Sequence, residues 1–587
     1  MHREALKANI YSKNYNAKKR EKHYFIFNLL AFLLVILALI VIGWSASKMH
    51  TPINNAQVIA ISSDPVNLFF YSIRTVSRML IAIVFSIVFS LIYGAFAAKS
   101  RRAEQILIPV LDILQSVPIL GYISFTVTAF LSLFPGSMLG PECAAIFAIF
   151  TSQAWNITFS FYQSLKTVPL ELNEAAYVFK MSAWQKFWRL EVPFAMPNLV
   201  WNSVVSMSGA WFFVVASEVI NVGSDNIRLP GIGSYIGLAL KERNIAAIVY
   251  AVIAMSFTII IYNQLIINPF VAWADRFKTE SSKSGDSPTS WILNLFNRSL
   301  IIKKLFLPIE LLRHFFLYFP PFNWLKIQNC QFNDMKILKK NYADYLWYFI
   351  SSIAGLYGIY LIYSFLYKTI LLEEVWQVMI LALYTMTRVV LLIFITSLIW
   401  VPIGIYIGLR PKLIKLVDPL IQFLAAFPAN LLFPVAVITI TKYNLNANIW
   451  LSPLLIMGAQ WYILFNVISG TASIPNDLKE AAANLNLKGW LFLKKVILPA
   501  IAPYFITGAI TASGGAWNAC IVGEIVSFGD QIIMIKGLGS YIALMTTKAD
   551  FPRIVLGIGI MSLFVVIFNH FFWQPLYNYT TKKYQIS

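Results

Sequence analysis

The chain carries the segment NEAAYVFKMSAWQKFWRLEVPFAMP at residues 173–197 and the related segment KEAAANLNLKGWLFLKKVILPAIAP at residues 479–503. Both segments are polar islands between long apolar runs, and they lie 306 residues apart. The same offset relates GIGSY at residues 231–235 to GLGSY at residues 537–541. Spacing this regular over about 100 residues indicates an internal duplication, so we expect two copies of one structural unit.

The composition is that of a membrane protein. Hydrophobic residues make up 58% of the 587-residue chain and charged residues 12%, whereas soluble globular chains contain about 25% charged residues. The net charge of +20 is concentrated in short loops between apolar runs, as the positive-inside rule predicts, so we expect no nucleic-acid partner. Cys143, Cys330 and Cys520 lie far apart, and their spacing predicts neither a metal site nor a disulfide framework.

The apolar runs predict about twelve transmembrane helices, six in each half. An even number per half gives both copies the same orientation, so the expected fold class is an all-α polytopic membrane protein with two parallel six-helix repeats. The predicted spans are approximately 25–44, 66–98, 106–133, 143–162, 199–220, 246–268, 346–367, the run containing Arg388, 413–440, 449–470, 501–523 and 553–573.

Charge and composition divide the chain into a basic N-terminus (1–24), a first half (25–271), a linker (272–345) and a second half (346–587). The apolar stretch 306–325 has the length of a span, but its central charges and Pro320-Pro321 favour an interfacial or protein-packed segment. An additional crossing there would also place the two polar segments on opposite sides of the membrane. Both termini and the linker are therefore expected in the cytoplasm.

Several further motifs recur in both halves. They are Glu174-Ala175-Ala176 with Val192-Pro193 and Pro197, Glu480-Ala481-Ala482 with Ile497-Leu498-Pro499 and Pro503, Arg78 and Arg388, Pro109/Pro118 and Pro419/Pro428, and Glu218 and Glu524 followed by Gly-x-Gly at 231–233 and 537–539. Together they resemble the membrane-spanning permeases of ATP-binding-cassette importers that depend on a binding protein. The most similar subgroup is the nitrate/sulfonate/taurine type, here with two permease halves fused in tandem over about residues 68–270 and 378–576.

The resemblance implies a type I importer permease of the bacterial inner membrane that moves a small solute inward by alternating access, with an oxyanion or a sulfonate suggested by the subgroup. It implies two cytoplasmic ATP-binding subunits and an external solute-binding protein as partners. ATP and Mg would be bound by those partners, and the chain has no phosphate-binding loop, so we expect neither a cofactor nor enzymatic activity in it. The coupling residues implied are Glu174, Ala175, Ala176, Pro193, Glu480, Ala481, Ala482 and Pro499.

The residue types of the two segments suit short docking helices. Thr167 and Ser473 are predicted to cap these helices, with Pro169 and Pro475 in the first turn. The closing prolines are predicted to end each segment and turn the chain into the next span.

The sequence departs from the family at the turn after each docking helix. The family has glycine six residues after the glutamate, where this chain has Lys180 and Asn486. Because lysine tolerates a left-handed conformation less well than asparagine, the first half is expected to turn differently and to couple less securely.

Ionisable residues inside predicted spans are costly in lipid and usually face a pathway or a partner. The candidates for the solute path or its gate are Arg78, Glu218, Trp211, Arg388, Glu524 and Trp517. The alternative is that the arginines and glutamates pair within each half while the tryptophans pack in the core.

Two other functional classes remain open, an ion-coupled secondary transporter and a membrane scaffold without transport activity. Many secondary transporters use inverted repeats, whereas the repeats here are predicted to be parallel. Neither class needs a duplicated docking segment, and copurification of ATPase subunits separates the three.

Overall fold

In the computed structural model, the regular secondary structure of the described residues is helical apart from one short β-hairpin. The structure describes residues 27–37, 40, 43–44, 47–49, 61–116, 119–219, 229–277, 290–299, 302, 307–308, 317, 342–367, 369–528 and 531–584. The prediction for residues 306–325 lies largely outside this part of the chain.

The first half and the segment after it are built from helices of very different lengths. They are α1 (Phe27–Leu37), α2 (Asn67–Lys99), α3 (Arg101–Ser116), α4 (Ile119–Leu133), α5 (Leu139–Lys166), α6 (Leu170–Val178), α7 (Ala183–Glu218), α8 (Ile232–Lys241), α9 (Ile245–Phe277) and α10 (Trp291–Arg298).

The second half repeats the order from α1 to α9, and a hairpin precedes its penultimate helix; the corresponding first-half residues 220–228 lie outside the described part of the chain. Its elements are α11 (Tyr342–Tyr367), α12 (Leu372–Gly408), α13 (Pro411–Ala426), α14 (Ala429–Lys442), α15 (Ala447–Met457), α16 (Gln460–Ala472), α17 (Asn476–Asn484), α18 (Gly489–Gly523), the strands β1 (Ile525–Phe528) and β2 (Gln531–Met534), α19 (Leu538–Thr547) and α20 (Phe551–Thr580). The strands pair antiparallel, with Ile525 opposite Met534.

Six of the described helices are long and apolar enough to cross a membrane: α2, α7, α9, α12, α18 and α20. The bent pairs α13–α14 (74°) and α15–α16 (45°) raise the number to eight if each pair is one span. The all-helical, polytopic fold class is confirmed. The count of twelve stays a prediction, since the described part of α1 has only 11 residues and α5 is not among the helices that are apolar enough to be counted.

Proline explains one boundary that differs from the predicted spans. The predicted span 413–440 is divided between α13 and α14, and α13 ends before Phe427, which adopts an extended backbone next to Pro428. A residue before proline is driven out of the helical region, so α13 stops where the ring would clash. In the first half, α3 ends at Ser116 and α4 begins at Ile119, and residues 117–118 lie outside the described part of the chain.

The duplication is visible in backbone details. Segments of π-helix occur at Phe187–Glu191 in α7 and at Leu493–Ile497 in α18, which are 306 residues apart. A second pair, Asn263–Ile267 and Asn569–Trp573, has the same separation. Such bulges are rare in α-helices, and their recurrence in register shows that the two copies share local geometry as well as motifs.

The chain divides into two compact units. The first comprises Met1–Met49, Ser160–Val204 and Ile261–Lys339. Within it, Ala31 of α1 is buried together with Leu295 of α10, and the Ser299 hydroxyl donates a hydrogen bond to Asn28 Oδ1 at 2.9 Å.

The second unit comprises His50–Phe159, Val205–Ile260 and Lys340–Ser587. Small residues bring its helices together: a Cβ on Gly404 of α12 would lie 2.7 Å from Val467 of α16, and one on Gly508 of α18 would lie 2.8 Å from the Tyr462 carbonyl oxygen. Packing of this kind replaces the hydrophobic driving force that helices lack in lipid.

Candidate functional site: buried charges and repeated short helices

Arg78 of α2 lies fully buried between two glutamates. Its Nη1 donates to Glu218 Oε1 at 2.6 Å, at the end of α7. Its Nε and Nη2 donate to the two carboxylate oxygens of Glu142 in α5, at 2.6 and 2.7 Å. The Glu142 contact is bidentate, the strongest geometry available to an arginine and a carboxylate.

A second arginine completes the charge balance of this cluster. Arg74, one turn before Arg78, donates to Glu142 Oε1 at 2.6 Å, and the Thr75 hydroxyl donates to Glu218 Oε1 at 2.7 Å. Two arginines and two glutamates therefore share a site in which no charged side chain is more than 8% exposed. The sequence analysis missed Arg74 and Glu142, although an arginine four residues before Arg78 and an acid in an otherwise apolar helix were visible signals.

The described residues of the second half contain the equivalent pair, Arg388 and Glu524, without counterparts of Arg74 and Glu142. Arg388 Nη1 donates to Glu524 Oε1 at 2.5 Å, and the Thr385 hydroxyl donates to the same oxygen at 2.9 Å. Counting 306 residues on from Glu142 leads to Asn448, which is exposed, and the residue four before Arg388 is Tyr384. The duplicated pair is thus embedded in a four-charge cluster in one half and stands alone in the other.

Each glutamate also holds the N-terminus of a short helix. Glu218 Oε2 accepts from the Gly233 backbone N–H of α8 at 2.7 Å, and Glu524 Oε2 accepts from the Ser540 N–H of α19 at 3.1 Å. These N–H groups have no partner within their own helix, so the carboxylates satisfy them and interact favourably with the helix dipole.

This arrangement explains the first glycine of each Gly-x-Gly motif. A Cβ on Gly231 would lie 2.2 Å from Glu218 Cδ, and one on Gly537 would lie 2.2 Å from Glu524 Oε2. Both glycines have extended backbones, with φ of −178° and 179°. Glycine is therefore needed here because the carboxylate approaches closely, and the backbone conformation itself would accept any residue.

The structure thus places the candidate path residues inside paired or packed surroundings. Arg78 pairs with Glu218 and Arg388 with Glu524, each within its own half. Trp211 and Trp517 are 1% and 2% exposed. A role for these residues in the solute path or gate stays a prediction.

The repeated polar segments form the short helices α6 and α17. Glu174 and Glu480 are exposed on them, while Ala176 and Ala482 are buried. Ala175 is half-buried and Ala481 is exposed.

The predicted caps of these helices are wrong. Pro169 and Pro475 occupy the N-cap positions, and neither helix has a side-chain cap. The Thr167 hydroxyl donates back to the Gln163 carbonyl at 3.2 Å, and the Ser473 hydroxyl to the Gly470 carbonyl at 3.0 Å. Both hydroxyls therefore close the preceding helix, where free carbonyl groups accept them.

The two short helices end in the same turn, so the expectation that the first half turns differently is wrong, while its weaker coupling is not tested. Lys180 has φ of 50° and Asn486 has φ of 51°. The Met181 N–H donates to the Ala176 carbonyl at 3.1 Å, and the Leu487 N–H donates to the Ala482 carbonyl at 2.9 Å. This is the Schellman pattern, whose hydrogen bonds hold even a lysine in the left-handed region.

The closing prolines do not end the segments as predicted. Pro193 and Pro197 lie inside α7, and Pro499 and Pro503 lie inside α18. In each half a π-helical segment ends two residues before the first of these prolines, Pro193 or Pro499. The wider π turn changes the local hydrogen-bond pattern where proline has no N–H to offer, so each helix continues into the span.

Apolar side chains are exposed around both short helices. Val178 and Phe179 of the first segment are 75% and 73% exposed, and Leu485 and Trp490 of the second are each 72% exposed. Phe179 and Leu485 are equivalent under the 306-residue offset. Exposed apolar side chains on a polar loop mark a surface suited to a protein partner.

These features define a class: a polytopic helical membrane protein with two motif sets, each combining a buried Arg–Glu pair with a short, exposed helix. The family model described as binding-protein-dependent transport system inner membrane component matches residues 90–276 and 400–572. The chain belongs to this family and carries its domain twice.

Three curated relatives illustrate the similarity. The bicarbonate transport system permease protein CmpB of Synechococcus elongatus is 35% identical over 158 residues, which cover 27% of this chain and 54% of CmpB. The nitrate import permease protein NrtB of Leptolyngbya laminosa is 23% identical over 205 residues, 35% of this chain and 68% of NrtB. The glycine betaine/proline betaine transport system permease protein ProW of Escherichia coli K12 is 28% identical over 199 residues, 34% of this chain and 54% of ProW. The chain matches about half the length of the first of these.

Proposed function

We propose that this chain forms the membrane-spanning part of an ATP-binding-cassette importer, with both permease halves fused. Two cytoplasmic ATP-binding subunits dock on α6 and α17, and an external solute-binding protein delivers the solute. ATP and Mg are bound by the docked subunits, and the solute crosses by alternating access between the halves.

The observation that carries this proposal is the repeated short helix with its exposed surface. Each copy presents two exposed acids, Glu171 with Glu174 or Asp477 with Glu480, beside exposed apolar side chains, and each ends in the same Schellman turn. An apolar patch supplies contact area for a partner, while charges at its rim fix the register. Two equivalent copies are suited to two equivalent partners.

The contact between the halves supports alternating access. Within the second unit, the Ile119 N–H at the start of α4 donates to Asn518 Oδ1 of α18 at 2.7 Å. Gly209 of α7 lies so close to Tyr462 of α16 that a Cβ would be 2.5 Å from the hydroxyl oxygen. Among the described residues this interface combines close packing at a small residue with a directed hydrogen bond, and packed helices of this kind can shift against one another during a transport cycle.

We propose a small oxyanion or sulfonate as the solute. The names of two relatives specify bicarbonate and nitrate, which are small oxyanions. The guanidinium groups of Arg78 and Arg388 are engaged by Glu218 and Glu524, so we assign recognition of the solute's negative charge to the solute-binding protein first.

The proposed location is the bacterial inner membrane with both termini, the linker and both short helices in the cytoplasm. Single cysteines at Ser284 and Asn476 should resist an impermeant thiol reagent added from outside, whereas one at Asn55 should react. External labelling at Ser284 would contradict this topology.

Coupling is tested by copurification and reconstitution. The full chain should copurify with its ATPase subunits and support ATP-dependent uptake in proteoliposomes with the binding protein. Glu174→Arg or Glu480→Arg should reduce both, while Glu171→Arg and Asp477→Arg, equivalent exposed acids in the first turns of the same helices, should have smaller effects. Uptake driven by an ion gradient without ATPase subunits would instead indicate a secondary transporter, and absence of any uptake with the partners bound would favour a scaffold.

A further inference from the structure

An apolar cavity of about 490 Å³ lies between the end of α2 and the start of α3. Its size is within the range of about 300–1,000 Å³ that is typical of small-molecule sites. All of its lining side chains are apolar or aromatic: Phe89, Ile92, Tyr93 and Phe96 of α2, and Ala103, Ile106 and Leu107 of α3.

The walls of the cavity are fixed by directed contacts. The Tyr93 hydroxyl donates to the Leu107 carbonyl at 2.7 Å, which ties the two helices together across the cavity. The Phe89 and Tyr93 rings stack at a centroid distance of 5.0 Å. At the corner between the helices, Ser100 Oγ accepts from the Ala103 N–H at 3.3 Å. The cavity is therefore a formed feature of the fold, with its one polar wall group already satisfied.

The open side of the cavity belongs to a surface suited to lipid. Ile92 and Phe96 are 55% and 65% exposed, and Val88 one turn earlier is also exposed. These side chains lie along one face of α2, which is long and apolar enough to cross the membrane. An apolar cavity that opens on such a face takes up hydrocarbon, because water gains nothing from walls without free polar groups.

Basic residues flank one end of the cavity. Lys99, Arg101 and Arg102 are exposed at the corner between α2 and α3, directly before Ala103 in the cavity wall. Glu104 follows, so this corner carries a net charge of +2, from three basic residues and one acid. Basic residues at the membrane surface attract anionic lipid headgroups.

We propose that this cavity is a binding site for an anionic phospholipid. One acyl chain occupies the apolar cavity, and the headgroup phosphate lies against Arg101 and its basic neighbours. The second half differs at this place: the residue equivalent to Ala103, under the 310-residue offset that relates Arg78 to Arg388, is the larger Leu413. There, Arg410 stacks on the Tyr406 ring at 3.7 Å and donates to the Tyr406 carbonyl.

Native mass spectrometry of the purified full chain tests the proposal, with delipidated protein titrated with phosphatidylglycerol or phosphatidylethanolamine of identical acyl chains. The wild type should prefer phosphatidylglycerol by about five- to thirtyfold, roughly fivefold for each basic side chain engaged. Ala103→Leu should weaken both lipids by about fourfold for each methylene it displaces. Val84→Leu, an exposed position of α2 outside the cavity, should leave binding unchanged.

The contribution of the lipid headgroup is tested with substitutions at the protein surface, so the result does not depend on how the core of the protein packs. Arg101→Gln with Arg102→Gln should abolish the preference for phosphatidylglycerol while phosphatidylethanolamine binding persists. Equal affinity of the wild type for both lipids would overturn the anionic assignment, and unchanged lipid binding by a folded Ala103→Leu variant would overturn the cavity as the site.

Discussion

The two buried ion pairs, Arg78–Glu218 and Arg388–Glu524, allow the same double-mutant cycle to be carried out in each half of the chain. In the second half, Arg388→Gln leaves Glu524 buried and without its cation, and Glu524→Gln leaves the guanidinium without its carboxylate. Removing one partner of a buried pair destabilises a protein by about 3–5 kcal/mol, whereas replacing both by neutral groups is often nearly neutral. Arg388 is 11% exposed, so water lowers the loss from Glu524→Gln toward the lower end of that range.

The double variant Arg388→Gln/Glu524→Gln should therefore recover most of the stability that each single variant loses. The first-half cycle should behave differently. Replacing Arg78 and Glu218 together still deprives Glu142 of two of its three arginine hydrogen bonds, leaving only the one from Arg74. The first-half double variant should therefore remain less stable than the wild type by about 1.5–3 kcal/mol, the value of a hydrogen bond to a charged group.

Denaturant unfolding of the full chain in a fixed detergent or nanodisc measures both cycles, and correct membrane insertion of each variant is the control. If each single second-half variant lowers the free energy of unfolding by less than about 1 kcal/mol, the value of an exposed pair, then Arg388 and Glu524 do not behave as a buried pair. If the first-half double variant regains its stability as completely as the second-half one, then Glu142 contributes nothing to the first-half cluster.

Three further outcomes follow from the site. Gly537→Ala should destabilise the chain by about 1–3 kcal/mol because its Cβ overlaps the Glu524 carboxylate, whereas Gly559→Ala, with nothing within 4 Å of its Cβ, should not. Lys180→Gly should stabilise the fold by about 1 kcal/mol, measured by denaturant unfolding, because it relieves a left-handed conformation; no gain would show that the turn is not strained. Since both turns are alike, Glu174→Arg and Glu480→Arg should reduce ATPase copurification to similar extents, and a large difference in pull-down yield would contradict equivalent docking.

The architecture was predictable where the sequence pattern is repeated and strongly apolar. The 306-residue offset predicted the positions of both short helices and of the buried glutamates Glu218 and Glu524, because a motif that recurs in register is stronger evidence than a single copy. Helix type followed from long apolar runs, which in lipid must satisfy their backbone groups internally. Helix α2 (Asn67–Lys99) accordingly lies close to its predicted span at 66–98, and α9 begins one residue from its predicted start.

The errors arose where local rules compete with the surrounding structure. Proline usually ends a helix, but the π-helical segments allow Pro193 and Pro499 to remain inside α7 and α18. Lysine disfavours a positive φ, but the Schellman hydrogen bonds impose it at Lys180. Neither effect is visible in a single residue, because each depends on hydrogen bonds made several positions away.

The duplication has preserved some of these contacts and changed others, and the difference has a physical meaning. Glu142 ties the start of α5 to α2 through Arg74 and Arg78, and α5 runs unbroken from Leu139 to Lys166. At the equivalent place the second half has the exposed Asn448, and the helix that begins there is bent by 45° further along, between Met457 of α15 and Gln460 of α16. A charge cluster that joins three helices resists their separation more than a single pair that joins two, because every arrangement that separates them leaves more buried charges unpaired. The two halves of this permease therefore share the geometry that faces the proposed ATPase partners, while the buried charges differ in how firmly they hold the helices of each half together.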